Sequence, residues 1–246
     1  MKTSSGENEF IDNYNIHNYN PPLTTVDLVI FTIIDNKLKT LVAKRSEYPA
    51  KSKWALPGGI IKTELDDNID AAAIRILKEK TGVTSPYIEQ LQTIGNKNRD
   101  PRCWSLTVIY FALIPFDSIT PVAGRSVTDI KWLEAEDHNQ QLAFDHNLIL
   151  ENAVTRLKSK VEYTALPLHL LPKEFTLTEF QQVFETILGH SVDKSAFRRR
   201  IREAKIIEEV KGKMRYGSNR PAKLFKAIDT DTLHYFSRNM GISRNM

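Results

Sequence analysis

The chain holds a single cysteine among its 246 residues. Cys103 has no partner for an internal disulfide, and a multi-cysteine zinc site is excluded, which fits a reducing cytosol. No histidine stands in a recognisable partner motif, so Cys103 reads as a small buried or interface residue and not as a nucleophile. Long apolar runs are missing as well. The stretch from Val26 to Ile34 is too short and too interrupted to cross a bilayer, so it reads as a buried strand and no membrane association is expected. The opening Met1-Lys2-Thr3-Ser4-Ser5-Gly6 lacks the charged-then-apolar layout of a secretory signal, and a cytoplasmic protein is expected. No internal repeat is visible, and the only biased tract is an Asn-rich stretch near the start.

What is present points to two folded units. The length is comfortable for two domains, each with its own core, and an apolar fraction of 41% fits a folded protein. Charge divides the chain unevenly. Residues 158–246 carry 17 Lys and Arg against 10 Asp and Glu, a net of +7, while the first 157 carry 17 against 20, a net of −3. Opposite signs suggest two partners, with the basic half suited to a polyanion or simply more soluble for its charge. The reading divides the chain into a flexible arm over residues 1–22, ending at Pro21-Pro22, a first domain over 23–157 and a second over 158–246.

Apolar periodicity predicts strands at Val26 to Ile34 and Leu38 to Lys44, joined by an Asp35-Asn36 turn as a hairpin. Trp54-Ala55-Leu56-Pro57-Gly58-Gly59 leads through a glycine loop to a helix from about Asp67 to Thr81, stopped at Gly82. Further strands are expected at Tyr87 to Ile94, Trp104 to Ile114 and Ile130 to Leu133. A helix from about His146 to Tyr163 follows, and Pro167 and Pro172 mark a linker.

The Gly58 to Val83 stretch resembles a Nudix box, whose pattern is Gly, five residues, Glu, seven residues, then Arg-Glu-aliphatic-x-Glu-Glu-x-Gly-aliphatic. Gly58, Glu64, Arg75, Leu77, Glu79, Gly82 and Val83 match it. Ten residues separate Glu64 from Arg75 instead of seven, and Asp67 stands at the seven-residue distance, in position to replace that glutamate. The departures carry the functional message. Positions 76, 79 and 80 share one helix face. In Nudix enzymes that face bears three glutamates that hold magnesium against a diphosphate, and here it bears Ile76, Glu79 and Lys80. A hydrocarbon offers no oxygen and an ammonium repels a cation, so neither a metal site nor catalysis is expected. Ile76 is expected to pack in a stripe with Ile69, Ala73 and Leu77. The resemblance leaves binding intact, with Lys80 supplying fixed positive charge near a ligand's phosphates. Lys44, Arg45, Arg99 and Arg102 are the other candidate cations for an effector, Glu79 is the remaining acid, and Trp54 and Phe144, with Tyr48, are candidates to stack on a base. A surface salt-bridge loop is the plainer reading of Arg99-Asp100-Pro101-Arg102.

The C-terminal half carries a second signature. Thr176 precedes apolar residues at 177, 180, 183, 184, 187 and 188, an amphipathic helix ending at Gly189. After a short turn comes a helix from Lys194 to Ala204, with Phe197, Ile201 and Ala204 facing a core and Ser195, Arg198, Arg199 and Arg202 facing elsewhere. The pair resembles a helix-turn-helix, whose second helix lies in the major groove. Two strand-like pieces around a basic glycine-bearing loop, Lys211 to Lys226, read as a wing whose cations meet phosphates or a minor groove. Thr178, Lys194, Ser195, Arg198, Arg199, Arg202, Arg215, Arg220 and Lys223 are the candidate DNA contacts. A winged helix used only for protein contact is the alternative. Residues 229–246 suggest a last helix and a frayed tail, without an assigned role.

Together these pieces resemble the Nudix-related transcriptional regulators of the NrtR family, over about Thr24 to Ala227. The most particular are Leu56-Pro57-Gly58-Gly59, the Arg99 to Arg102 run, Leu171-Pro172 and Arg220-Pro221-Ala222. The resemblance implies an α+β protein, a Nudix α/β/α sandwich followed by a winged helix-turn-helix domain. It implies a homodimer, a repressor of NAD metabolism genes, that binds a palindromic double-stranded operator and leaves it when ADP-ribose or a related nucleotide fills the Nudix pocket, with no cofactor required. Relatives answering to arabinose or xylose, and an active Nudix ADP-ribose pyrophosphatase, are the alternatives.

Overall fold

Residues 26–31 are buried without interruption, because both sides of this strand are covered. They form the centre of β1 (Leu23–Ile34) in a computed structural model that describes residues 5–83, 87–119, 127–137, 139–216 and 221–237. Asp35 and Asn36, at φ of 51° and 56°, turn β1 back into antiparallel β2 (Lys37–Arg45). Positive φ at both positions matches the twist of the flanking strands, and Asp and Asn tolerate it. The remaining strands of this sheet are β3 (Trp54–Ala55), β4 (Gly58–Ile60), β5 (Tyr87–Asn96), β6 (Ser105–Leu113) and β7 (Val127–Glu134). Their order is β3-β2-β1-β6-β5, with β4 also on β1 and β7 also on β2. β1 and β6 run parallel, and the other pairs are antiparallel.

Alternation along β1 sends its side chains into two cores. Val26, Leu28 and Ile30 meet Ala73, Ile76 and Leu77 from one covering helix, which spans Ile69–Thr81. Asn68 caps its start, accepting from the Ala71 N–H at 2.8 Å, and Gly82 ends it at φ 71°. Ile69 lies outside the expected stripe, 39% exposed in the first turn. On the other face Val29 and Phe31 meet Ile149, Ala153 and Leu157 of the helix His146–Val161. In chain order these helices are α2 and α3, because α1 (Ser5–Asp12) precedes them. The stretch read as a flexible arm holds one short helix and a 3-10 turn at Ile16–Tyr19, with positions 6–22 exposed.

The boundary expected after residue 157 falls inside α3, since the apolar series Ile149, Ala153, Leu157 and Val161 keeps one face buried to the helix end. A 3-10 turn, Leu166–Leu170, then leads to α4 (Leu177–Leu188), α5 (Lys194–Ala204), β8 (Ile207–Arg215) and β9 (Ala222–Ala227). Phe175 exchanges backbone hydrogen bonds of 2.9 and 2.7 Å with Phe225 and adds a short third piece to the β8–β9 pair. Phe180, Phe184 and Phe197 pack edge to face or tilted at 5.3–5.4 Å between ring centres. This aromatic cluster is continuous with the α3 side of the sheet.

Two smaller expectations change. No helix forms in residues 229–237. Tyr235 bridges Thr164 instead, the Phe236 N–H donates to the Tyr163 carbonyl at 2.8 Å, and the Phe236 ring rests on Phe184. Burying that ring against the α3–α4 junction requires an extended backbone. Cys103, expected to be buried or at an interface, is not buried within the chain but exposed in the loop before β6. Among the described residues no helix is long and apolar enough to cross a membrane.

Candidate effector site and nucleic-acid interface

Glycines set the geometry of the Nudix-like loop. A side chain at Gly58 would place its first carbon 2.2 Å from Asp27 Oδ1 and 2.9 Å from the Val26 carbonyl, so only glycine lets β4 lie this close to β1. Arg75 points back from α2 into the loop and grips Asp66 with two hydrogen bonds, Nε to Oδ1 at 2.6 Å and Nη2 to Oδ2 at 2.7 Å. The spacing argument favoured Asp67, which is exposed. The turn at residues 62–66, held by Leu65 and Asp66 N–H groups on the Lys62 carbonyl, brings Asp66 inward instead. Arg75 keeps the Asp66 carboxyl at about 2, well below the usual range.

The neighbouring helix face does not suit a divalent cation. Ile76 is 1% exposed, packed within the α2-side core and beside Gly59. Glu79 is spent in part on Arg75, 3.3 Å away, and burial lowers the pKa of Lys80. Among the described residues no three His, Cys, Asp or Glu side chains group as metal ligands. The magnesium implied by the Nudix resemblance therefore does not fit this donor set.

The other candidate cations gather at the far side of Asp27. Arg99 is buried at the floor of a depression of about 540 Å³, lined also by Pro49, Lys53, Asn98, Phe144 and Asp145. Its guanidinium is committed to Asp145, at 3.1 and 3.2 Å, and to Asp27 at 3.3 Å, so it holds three chain segments together and is not an open phosphate hook. Asp27 also lies 3.9 Å from His146 Nε2, while His146 Nδ1 accepts the Leu56 N–H at 2.9 Å. Burial keeps that imidazole below its ordinary pKa. Arg102 pairs with Asp100 at 2.8 and 3.0 Å, the plainer salt-bridge reading of the run. Arg45 donates to the Pro49 carbonyl at 2.9 Å and lies 5.0 Å from the Phe144 ring. Phe144 sits at φ 55°, a conformation an aromatic residue rarely adopts, which turns its ring under Arg45. Burial and then the charge of Arg102 push Arg45 below its usual pKa.

Lys44 and Trp54 are cross-strand partners on β2 and β3. Lys44 lies 5.9 Å from the Trp54 ring and Lys131 of β7 lies 4.4 Å from it. The structure thus brings Arg45, Arg99, Arg102 and Phe144 together, pairs Lys44 with Trp54, and leaves Glu79 and Lys80 on α2. The sequence reading missed Asp27, Asp145 and Lys131. Asp27 had a signal, as the one charged residue of β1, while Lys131 had none, since its place over Trp54 follows from β2–β7 pairing.

In the second half, α4 begins with a reciprocal cap. The Glu179 N–H donates to Thr176 Oγ1 at 3.1 Å and the Thr176 N–H to Glu179 Oε2 at 2.7 Å. Glu185 accepts the Val192 N–H at 2.8 Å and fixes the turn, and Asp193 caps α5 by accepting from Ala196 N at 2.7 Å. Phe197 and Ile201 are buried, so Lys194, Ser195, Arg198, Arg199 and Arg202 stand exposed, and Thr178 is exposed at the start of α4. Positions 195, 198, 199 and 202 share one side of the helix. Arg200 differs, half-buried with its guanidinium 5.5 Å from the Phe236 ring. On the wing Arg215 contacts Glu179 and Lys223 lies 2.8 Å from Glu209, while Arg220 lies outside the described residues.

Residues 24–153 match the NUDIX domain family and residues 167–227 match the NrtR DNA-binding winged helix domain family. The chain is 44% identical over 242 residues to the ADPR responsive transcriptional repressor NtrR of Acinetobacter baylyi, spanning 98% of this chain and 96% of that protein. It is similar to Shewanella oneidensis NrtR in a crystal structure complexed with a 27mer DNA, at TM-score 0.82 and 40% identity, over 89% of this chain and 99% of that one. The NUDIX domain of Shewanella oneidensis NrtR complexed with ADP ribose matches at TM-score 0.57 and 41% identity, over 63% of this chain and 99% of that one. Both halves match in order and one relative aligns across their junction: the chain belongs to the NrtR family, a NUDIX domain followed by a DNA-binding winged helix domain.

Proposed function

We propose that the chain is an ADP-ribose-responsive transcriptional repressor of NAD metabolism genes, a homodimer that binds a palindromic operator and does not hydrolyse its effector. The observation that carries this reading is the pairing of an α2 face unsuited to a metal, with Ile76 buried and Lys80 in place of acids, with an α5 face of exposed arginines. The A. baylyi relative and the DNA and ADP ribose complexes of the S. oneidensis protein support it. Lys194, Ser195, Arg198, Arg199 and Arg202 enter the major groove, and Thr178, Arg215, Arg220 and Lys223 meet the backbone. The effector lies against Arg45 and Phe144, beside Arg102 and with Arg99 shaping the floor, while Lys44, Trp54, Glu79 and Lys80, which the fold sets apart from these, are its outer candidates.

Release follows from differential affinity. ADP-ribose removes the dimer from DNA only if it binds the non-operator arrangement more tightly. The two α5 helices must lie about 34 Å apart, or a multiple, to enter successive grooves, so a small rotation of the Nudix halves spoils both contacts. Gel shifts on operator fragments with and without ADP-ribose, and melting curves with ADP-ribose, NAD, arabinose and xylose, test the reading. A melting shift with ADP-ribose together with loss of the DNA complex is expected. A shift with a pentose alone transfers the effector role to a sugar, and magnesium-dependent release of AMP from ADP-ribose makes the chain a hydrolase.

A further inference from the structure

The cations of the two DNA-facing elements are treated differently. No ion pair among the described residues engages Lys194, Arg198, Arg199 or Arg202 of α5. On the wing, Lys213 Nζ lies 2.6 Å from Glu174 Oε1. Arg215 donates through Nη1 to Glu179 Oε1 and through Nη2 to the Glu174 carbonyl at 3.1 Å. Both acids flank Thr176, the cap of α4. Glu179 has two tasks, since Oε2 closes the capping box on the Thr176 N–H while Oε1 holds Arg215. Further along the wing Lys223 pairs with Glu209 at 2.8 Å and Lys226 with Glu208 at 2.9 Å. Lys213 and Arg215 remain 58% and 42% exposed, so water reaches these pairs and a competing anion can displace the carboxylate.

We infer that Glu174 and Glu179 form an intramolecular latch that occupies Lys213 and Arg215 in place of DNA phosphates, so that α5 meets DNA with its charge available and the wing engages only where a duplex backbone displaces the two acids. This rests on the DNA-binding reading above. A duplex presents a row of phosphates that binds any free cation regardless of sequence. Holding the wing cations on carboxylates lowers that indiscriminate attraction, because each wing contact must first give up an existing partner. The gain of a properly docked duplex is preserved, since many phosphates then act together on a wing whose root is already tied to α4.

The test uses the full chain, with fluorescence anisotropy on a random-sequence DNA duplex. Glu174→Gln removes the charge that holds Lys213 and leaves the Glu179 cap in place. It should tighten binding about two- to fivefold, the scale of an exposed ion pair. In a Lys213→Gln background the same change should have no effect, because the cation it frees is gone. A gain of equal size in that background means that Glu174 acts through its long-range field, and the latch is overturned. Unchanged or weaker binding by Glu174→Gln overturns it as well, with the wild-type affinity showing that DNA binding itself stands. Failure of the unmodified chain to bind any duplex removes the DNA-binding reading and the latch together.

Discussion

At the scale of single residues, the Nudix-like loop keeps an internal brace while the neighbouring α2 face carries Ile76 and Lys80. Asp66 and Arg75 supply the internal brace, and the brace has a pH signature. Asp66 titrates at about 2 in the folded chain against 3.8 ordinarily, so the unfolded chain binds the proton first and stability is lost as pH falls from about 4 to about 2. Asp66→Asn should lower the urea midpoint at neutral pH and flatten its fall across that window. Ile76 shows the opposite trade. Ile76→Glu places a carboxylate in a core that offers it no partner, which should cost at least about 2 kcal/mol. Adding Lys80→Glu beside Glu79 rebuilds three acids on one face. Magnesium should then raise the melting temperature of the double variant and leave the wild type unmoved; a wild type stabilised equally by magnesium refutes the account of the α2 face.

At the scale of elements, α4 and α5 are determined by their ends as much as by their apolar faces. The Thr176 cap orders α4, and through Glu179 it also reaches the wing. Thr176→Ala should destabilise the chain by about 1 kcal/mol in thermal or urea unfolding. On α5 the cations proposed to meet DNA are exposed and lie outside the apolar core, so their replacement should be separable from stability. Arg202→Ala should leave the melting temperature nearly unchanged and weaken binding to the operator more than to a random-sequence duplex, the mark of a lost groove contact, measured by anisotropy on both.

At the scale of the whole molecule, the two halves share one apolar core through α3 and α4, and between them lies a cleft of about 740 Å³. Tyr87 and Leu113 line it from the sheet, His169 and Leu171 from the linker, and Phe175 and Lys226 from the second half. The Glu89 carboxylate, which holds Lys160 and Tyr87, ties the end of α3 to β5 beside it. Burial pushes the His169 imidazole down to about 4. Unfolding returns it to about 6.5, so protons favour the unfolded chain and stability falls as pH drops from about 6.5 to about 4. His169→Gln should flatten that part of the pH profile. Reciprocity is the matching prediction for function: the factor by which ADP-ribose weakens DNA binding must equal the factor by which DNA weakens ADP-ribose binding, measured by titrating each in the presence of the other.

The sequence by itself determined most of the strands, the helices α2 to α5, the two signatures and the shortage of acids on α2, because apolar periodicity, cap residues and charge on one helix face are local properties of the chain. It carried the hairpin at Asp35-Asn36, the stop at Gly82 and the outward side of α5 in the same way. Tertiary structure alone decided that Asp66 and not Asp67 braces Arg75, that Arg99 is absorbed by Asp27 and Asp145, that Lys131 reaches Trp54, and that Phe236 returns to the α3–α4 junction. Each of these joins residues through the direction a loop or strand takes in space, and spacing along the chain does not encode that direction.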